Sequence, residues 1–319
     1  MAGRIHSRPS LFVSSLPQPL MSSDKLLTIF TPTYNRAHTL TRLYESLCCQ
    51  SCHDFEWLVI DDGSSDNTQE LIASFIAENR IPITYIKKEN GGLFTGYNKA
   101  YALIETELNA CVDSDDFLPH DAVEIIRDTW AARKSDNYAG ITGLDFYAGT
   151  KKPIGGFFPP DLHEVFLLDL TTKWIHRGDT KQVMRTDIMK AIPPMEGFEG
   201  EKNFNPFYLL LQACDDLPVI LVNRNLCFVE YQTTDSMSKS IWKQYADSPR
   251  SFTKLRVLEM GLKRTNFLNN LRLSIHYNAT CFIAKDKGWL SNTPKPLLAI
   301  AMAPAGLALS LLIKLKNSK

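Results

Sequence analysis

No net charge, no low-complexity run, no internal repeat and no glycine-rich phosphate loop mark this chain. Its 319 residues carry 35 basic and 35 acidic side chains, so no global field gathers nucleic acid, and nucleic acid is not an expected partner. Neither Gly-x-x-x-x-Gly-Lys-Ser/Thr nor Gly-x-Gly-x-x-Gly is present, which removes a P-loop nucleotidase and a nicotinamide enzyme of the usual kind. The seven cysteines are an odd number scattered over a long chain, a poor disulfide framework that fits a reducing compartment. In "CCQSCH", Cys48 and Cys52 stand four apart at the end of a helical pattern with no second pair at finger-like spacing, so the cluster reads as packing. The N-terminal stretch holds no apolar run of signal-peptide length, and residues 1–23 are expected to be a disordered leader outside the fold.

What is present is alternation. "LLTIFTPTY", "FEWLVID", "ITYIKKE" and "LNACV" have strand character, and each is followed by a polar loop and an amphipathic, helix-like stretch. Four such units argue for a parallel sheet with helices on both faces. In sheets of this kind ligands bind at the carboxyl ends of the strands, which is where the polar residues fall: 31–36, Asp61 and Asp62, Gly91 and Gly92, then 113–116. Beyond about residue 140 the alternation fails, and 153–200 is rich in Pro, Gly and aromatics, as irregular loops around a pocket would be.

"CVDSDDF" places Asp113, Asp115 and Asp116 directly behind the fourth strand. Carboxylates this close repel, and burying them unpaired costs several kcal/mol each. Three readings compete: a helix-capping turn, an aspartyl nucleophile, and a divalent-cation site that leaves positions for substrate phosphates. An aspartyl-phosphate enzyme of the haloacid type wants its Asp-x-Asp after the first strand, where this chain has "TPTYNR". A cation with a diphosphate ligand resolves the repulsion.

"TIFTPTYNRAHTLTRLYESL", "FEWLVIDDGSSDNT", "NGGLFTGYNKAY" and "VDSDD", in this order and spacing, resemble the nucleotide-diphospho-sugar domain of family 2 glycosyltransferases, the GT-A fold. The resemblance covers roughly 26–235, since "RTDIMKAIPPMEGFEGEKNFNPFYLL" and "VEYQTTDSMS" are similar to the acceptor half of bacterial members that build surface polysaccharides. It implies an α/β, Rossmann-like, mostly parallel sheet over 24–240, with a nucleotide-sugar half (24–140) and an acceptor half (141–240). It also implies donor-binding roles for Pro32, Thr33, Tyr34, Asp62, Gly92, Asn98, Lys99, Asp113, Ser114 and Asp115. Asp62 would accept the N3–H of uracil, which favours a UDP-sugar; Asp113 would face the ribose, and Asp115 would hold Mn²⁺ or Mg²⁺. A turn explains Asp62 as well, and a surface lysine explains Lys99. The general base of an inverting transfer would be Glu201, with Glu199 as runner-up, unless Glu201 simply favours the N-terminus of the helix that follows it. Trp174, Arg177 and Glu199 would line the acceptor side, and "TTDSMS" would close over the diphosphate.

The C-terminal part, 241–319, is expected to be a helical extension ending in the apolar tail 296–313. Leu297 to Ile313 is 17 residues with Pro304 and Gly306 inside, short of the about 20 a spanning helix wants. From 285 onward six Lys stand against one Asp, which suits anionic headgroups. The expectation is a peripheral or monotopic protein on the cytoplasmic face of the plasma membrane, acting on a lipid-linked saccharide acceptor. The rival is a non-catalytic subunit that binds a nucleotide sugar or polysaccharide. A sugar nucleotidylyltransferase is disfavoured by the missing Gly-rich, basic first loop.

Overall fold

Every residue of β1 (Leu27–Thr33) and β2 (Phe55–Asp61) is buried, as apolar runs covered on both faces should be. The computed structural model describes residues 24–230 and 241–317; the leader and the "TTDSMS" segment lie outside the described residues. Side chains of the two strands alternate between two cores: Leu27, Ile29, Trp57 and Val59 join one, and Phe30, Leu58 and Ile60 the other. The first core is closed by α1 (Ala37–Cys48), α2 (Thr68–Glu78) and α4 (Ala122–Arg133) through Leu40, Leu43, Leu47, Ile72 and Ile126. The second is closed partly by α3 (Leu93–Leu103), which contributes Phe94 and Tyr101. Cys52 is buried in the first core and Cys48 packs against it.

Among the described residues the sheet has eight strands in the order β3-β2-β1-β4-β7-β5-β8-β6. β3 (Ile83–Lys87) and β4 (Leu108–Cys111) extend the parallel half on either side of β2 and β1. The other half is formed by β5 (Gly140–Tyr147), β6 (Glu164–Val165), β7 (Thr180–Arg185) and β8 (Val219–Val229). "TKQVMR" does not read as a strand, since only Val183 and Met184 in it are buried. It is nonetheless β7, inserted antiparallel between β4 and β5. That insertion carries its polar residues to the end of β4. Short helices α5 (Leu167–Thr172), α6 (Thr186–Ala191) and α7 (Phe207–Ala213) cover this half.

Among the described residues four helices follow: α8 (Ile241–Asp247), α9 (Pro249–Gly261), α10 (Phe267–Ala284) and α11 (Pro296–Asn317). The sequence suggests a tail interrupted at Pro304 and Gly306, but α11 runs unbroken through both for 22 residues. Gly306 is there for close approach: a Cβ on it would lie 2.3 Å from Cβ of Asn278 on α10. Asn278 Nδ2 donates to the Ala299 carbonyl at 2.8 Å, so α10 also supports α11 one turn above the proline. Ala299, Gly306, Ser310 and Ile313 form the buried stripe of α11. Leu297, Ile300, Leu307, Leu311, Leu312 and Leu315 are exposed.

Candidate active site

A cavity of about 840 Å³ opens at the carboxyl ends of β1, β2 and β4. Pro32, Thr33 and Tyr34 line it where β1 ends, Asp62 where β2 ends, Gly92 at the start of α3, and Asp113, Ser114 and Asp115 after β4. Four distant pieces of sequence thus meet in one cleft because parallel strands end on the same side.

Asp62 is 5% exposed, and its carboxylate organises the glycine loop. One oxygen accepts from the Gly91 N–H at 2.9 Å and from Lys88 Nζ; the other accepts from the Gly92 N–H at 2.8 Å and from Asn90 Nδ2 at 3.1 Å. Thr95 Oγ1 adds a longer contact at 3.4 Å, so the lone-pair sites a carboxylate offers are filled. Asp62 therefore stands in the cleft wall as the anchor of 90–92, and reading a uracil N3–H there requires one donor to yield. Gly92 has φ +93°, and a Cβ on it would lie 2.1 Å from the Lys202 carbonyl oxygen, so only glycine fits.

The cleft floor holds more negative charge than the "DSDD" turn alone supplies. Asp145, from the middle of β5, faces the same space as Asp113, Asp115 and Asp116. Burial pushes the Asp116 carboxyl up to about 8, opposed by Lys181 and reinforced by Asp113 and Asp115. Burial likewise pushes Asp145 up to about 7, against the pull of Lys181. Asp113 opens onto the water of the cleft but has protein on its other sides; desolvation pushes it up, Lys181 pulls it down, and Asp115 adds repulsion. Lys181, on β7, is the counter-ion. Burial lowers its pKa, but Cys227, Asp145, Asp116 and Asp113 together hold it well above the ordinary lysine value. "TKQVMR" thus supplies the cation of this floor. Asp145 was legible as a carboxylate inside an apolar run, "GITGLDFY", where burial is costly unless used.

The oxygens around this floor are hard donors suited to Mg²⁺ or Mn²⁺. Among the described residues no group of three or more His, Cys, Asp or Glu forms a ready metal cage. A cation bound by one or two carboxylates and completed by phosphate and water needs no such cage. Asp115, with Asp113 beside it, lines the cleft where the strands end and fits such an ion.

Several expected site residues are placed elsewhere. Glu201 does not line the cleft: its side chain is 4% exposed and pairs with Arg250 on α9 at 3.0 Å. It also accepts from the Arg250 and Ser251 backbone N–H groups at 3.0 and 2.8 Å and from Ser251 Oγ at 2.8 Å. A carboxylate so saturated cannot take a proton from an acceptor hydroxyl without breaking that network. Glu201 does sit at a helix N-terminus, but at that of α9 and not of α7, the helix that follows it in sequence. Glu199 is exposed, and its backbone carbonyl accepts from Arg250. Asn98 is a structural bracket, donating to the Met195 carbonyl at 2.8 Å and accepting from the Met195 N–H at 2.9 Å. Lys99 is exposed on α3 and is not part of the cleft lining. Trp174 is 70% exposed at φ +57°, with the Arg177 guanidinium 4.2 Å above its ring. This pair lies outside the cleft lining, which between them and β7 is made by His176, Gly178 and Asp179.

The architecture defines a GT-A-type transferase: a mostly parallel α/β sheet with an acidic cleft at its strand ends. The family pattern described as "Glycosyl transferase family 2" matches residues 28–192, more than half of the chain, and the chain belongs to that family. Chondroitin synthase of Pasteurella multocida is 37% identical over 101 residues, which are 31% of this chain and 10% of that one. Glycosyltransferase GlyG of Streptococcus pneumoniae is 21% identical over 273 residues, covering 78% of this chain and 87% of that one. The chain thus spans about a tenth of the length of the first of these relatives. Among solved structures, residues 1–349 of S. aureus TarS, also solved with UDP and with UDP-GlcNAc, superpose with TM-score 0.60 at 18% identity, covering 88% of each chain. Mannosyltransferase PcManGT of Pyrobaculum calidifontis, solved with GDP-Man and Mn²⁺, superposes with TM-score 0.53 at 14% identity over 93% of this chain and 88% of that one.

Proposed function

We propose that this chain moves a sugar from a UDP-sugar to a hydroxyl of a lipid-linked saccharide, with inversion and with Mn²⁺ or Mg²⁺ bound, at the cytoplasmic face of the plasma membrane. The observation that carries the reading is the acidic cleft floor, four aspartates around one lysine at the strand ends. Relatives and neighbours whose names or ligands involve polysaccharide synthesis, UDP and Mn²⁺ support it.

The nucleotide would lie against Pro32, Thr33 and Tyr34, with the ribose toward Asp113 and Ser114. Asp115, with Asp113 beside it, would hold the cation, which supplies charge neutralisation for the departing diphosphate. Lys181 fixes the charge balance of the floor and keeps Asp145 and Asp116 from repelling the donor outright. The acceptor hydroxyl needs a carboxylate that faces the cleft, and Glu201 does not. Asp179, exposed on the acceptor wall at the head of β7 and close enough to Asp113 to act on its charge, is the group we assign as base. Attack then transfers the hydroxyl proton to an Asp179 oxygen while the anomeric bond to the diphosphate breaks.

The decisive experiment measures transfer from UDP-sugars to membrane extract. Asp115→Ala should lower transfer and donor hydrolysis by at least about a thousandfold, and excess chelator should do the same. Asp179→Asn should lose transfer while UDP still binds. Full activity in chelator would remove the metal. The engagement of Glu201 with α9 favours a second reading, a non-catalytic nucleotide-sugar binder. Donor binding without any transfer across a panel of acceptors would establish it.

A further inference from the structure

Two adjacent residues face opposite ways. Glu201 points out of the sheet domain into the first turn of α9, where its oxygens accept from four donors of Arg250 and Ser251 at 2.8–3.0 Å. The N-cap residue of α9, Ser248, makes no side-chain cap to its own helix. Glu201 therefore satisfies orphan N–H groups from another part of the chain and places its charge at the positive end of a 13-residue helix. Lys202 points back into the cleft. Its Nζ donates to Asn90 Oδ1 at 2.6 Å, and its carbonyl fills the space a side chain on Gly92 would need. Asn90 in turn donates to the backbone and carboxylate of Asp62 at 2.9 and 3.1 Å.

We infer that Glu201 and Lys202 form a clamp through which the C-terminal helices hold the donor loop, residues 90–92, in its binding geometry. Glu201 is then a positioning residue, acting through Lys202, and not the proton acceptor. The body it grips is rigid for a physical reason. α9 shares a core with α10 through Met260, Leu273 and Tyr277, and α10 carries α11 along its length. A helical unit anchored this way supplies the fixed support that a glycine loop lacks by itself.

The inference rests on the reading of the cleft as a nucleotide-sugar site, and the experiment separates the two. UDP is titrated calorimetrically into the full chain with Mn²⁺, and donor KM and kcat are measured for the original sequence, Glu201→Gln, Ser251→Ala and the double variant. Thermal melts confirm that each is folded; Ser251→Ala removes a single hydroxyl and is the variant safest to fold. Arg250 and Ser251 do not line the cleft. Even so, Ser251→Ala and Glu201→Gln should each weaken UDP at least fivefold, raise donor KM in parallel and change kcat less. The double variant should be no worse than Glu201→Gln, because the two residues share one network. UDP affinity within twofold of the original in both folded single variants overturns the clamp. Loss of kcat alone in Glu201→Gln, with Ser251→Ala unaffected, also overturns it and restores Glu201 as base. If the original sequence binds no UDP, the cleft reading fails. The clamp is then judged by amide exchange at residues 90–96, which should quicken in Ser251→Ala and, if unchanged, overturns it.

Discussion

Lys181 Nζ donates to the Cys111 carbonyl oxygen at 3.3 Å, which sets a cation at the last residue of β4, directly before the Asp113–Asp116 turn. Its charge is what permits Asp113, Asp116 and Asp145 to share one floor. Removing it leaves buried like charges uncompensated. Lys181→Met should therefore destabilise the chain by about 3 kcal/mol at pH 8. The loss should shrink toward pH 5.5, where the carboxyls take up protons. Urea unfolding at the two pH values checks this; an equal loss at both would mean that packing, not charge, makes Lys181 necessary.

Asp145 carries the opposite sign of the same effect. Its folded carboxyl titrates at about 7, above the ordinary value of about 3.9. The folded state therefore binds a proton that the unfolded state has released over that window, and stability falls as pH rises through it. Asp145→Asn removes the titration. It should stabilise the metal-free chain by roughly 2–4 kcal/mol at pH 8, the pull of Lys181 being already part of the folded value, and by little at pH 4. Donor turnover should fall at the same time, since the charge balance of the floor changes. Melting curves across pH, with activity on the same samples, give the comparison.

The parallel half of the fold was legible because its strands are apolar on both faces and its helices show a clear stripe. "FEWLVID" and "LTIFTPT" could hardly be anything else. β7 was not, because a strand that serves a cleft on one side need not be apolar: Lys181 belongs to the site and Gln182 also lines it. Cleft residues that follow a strand end, such as Asp115 and Tyr34, could be placed from the strand pattern. Glu201 could not. Its distance from the cleft depends on where α9 lies, and a contact between residues about 50 apart, such as Glu201 and Ser251, leaves no local trace. Asp62 shows the same limit on a smaller scale, since the turn chemistry of "DDG" is visible but the donors that converge on its side chain are not.

Gly92 tests the donor loop without replacing any charged side chain. With φ +93° and the Lys202 carbonyl 2.1 Å from the site of a Cβ, Gly92→Ala forces either the loop or segment 200–203 to move. Asp62 then loses the N–H donor that Gly92 provides at 2.8 Å. The expected result is a folded protein, destabilised by about 1–3 kcal/mol, whose affinity for UDP falls at least tenfold. Gly91→Ala makes the comparison, because its Cβ would meet the Thr95 side chain at 2.9 Å and not backbone at 2.1 Å, so its loss should be smaller. Equal behaviour of the two variants would contradict the close approach as the cause.

Membrane attachment is best tested on the outer face of α11 and not by cutting the helix off. Deleting 296–319 would uncover Met260, Leu273, Tyr277 and Cys281, which share a buried cluster with Ala299, so loss of sedimentation would be hard to tell from misfolding. The exposed stripe offers a cleaner change. Leu307 and Leu311 are 51% and 52% exposed and lie one turn apart, with Lys314 and Lys316 in the last turn of the same helix. Burying each leucine in lipid is worth about 1.5–3 kcal/mol, and a carboxylate at the same place is repelled by anionic headgroups. The double variant Leu307→Asp, Leu311→Asp should keep its melting temperature and leave liposomes containing anionic lipid almost completely. Cosedimentation equal to that of the original sequence would show that this face does not contact lipid.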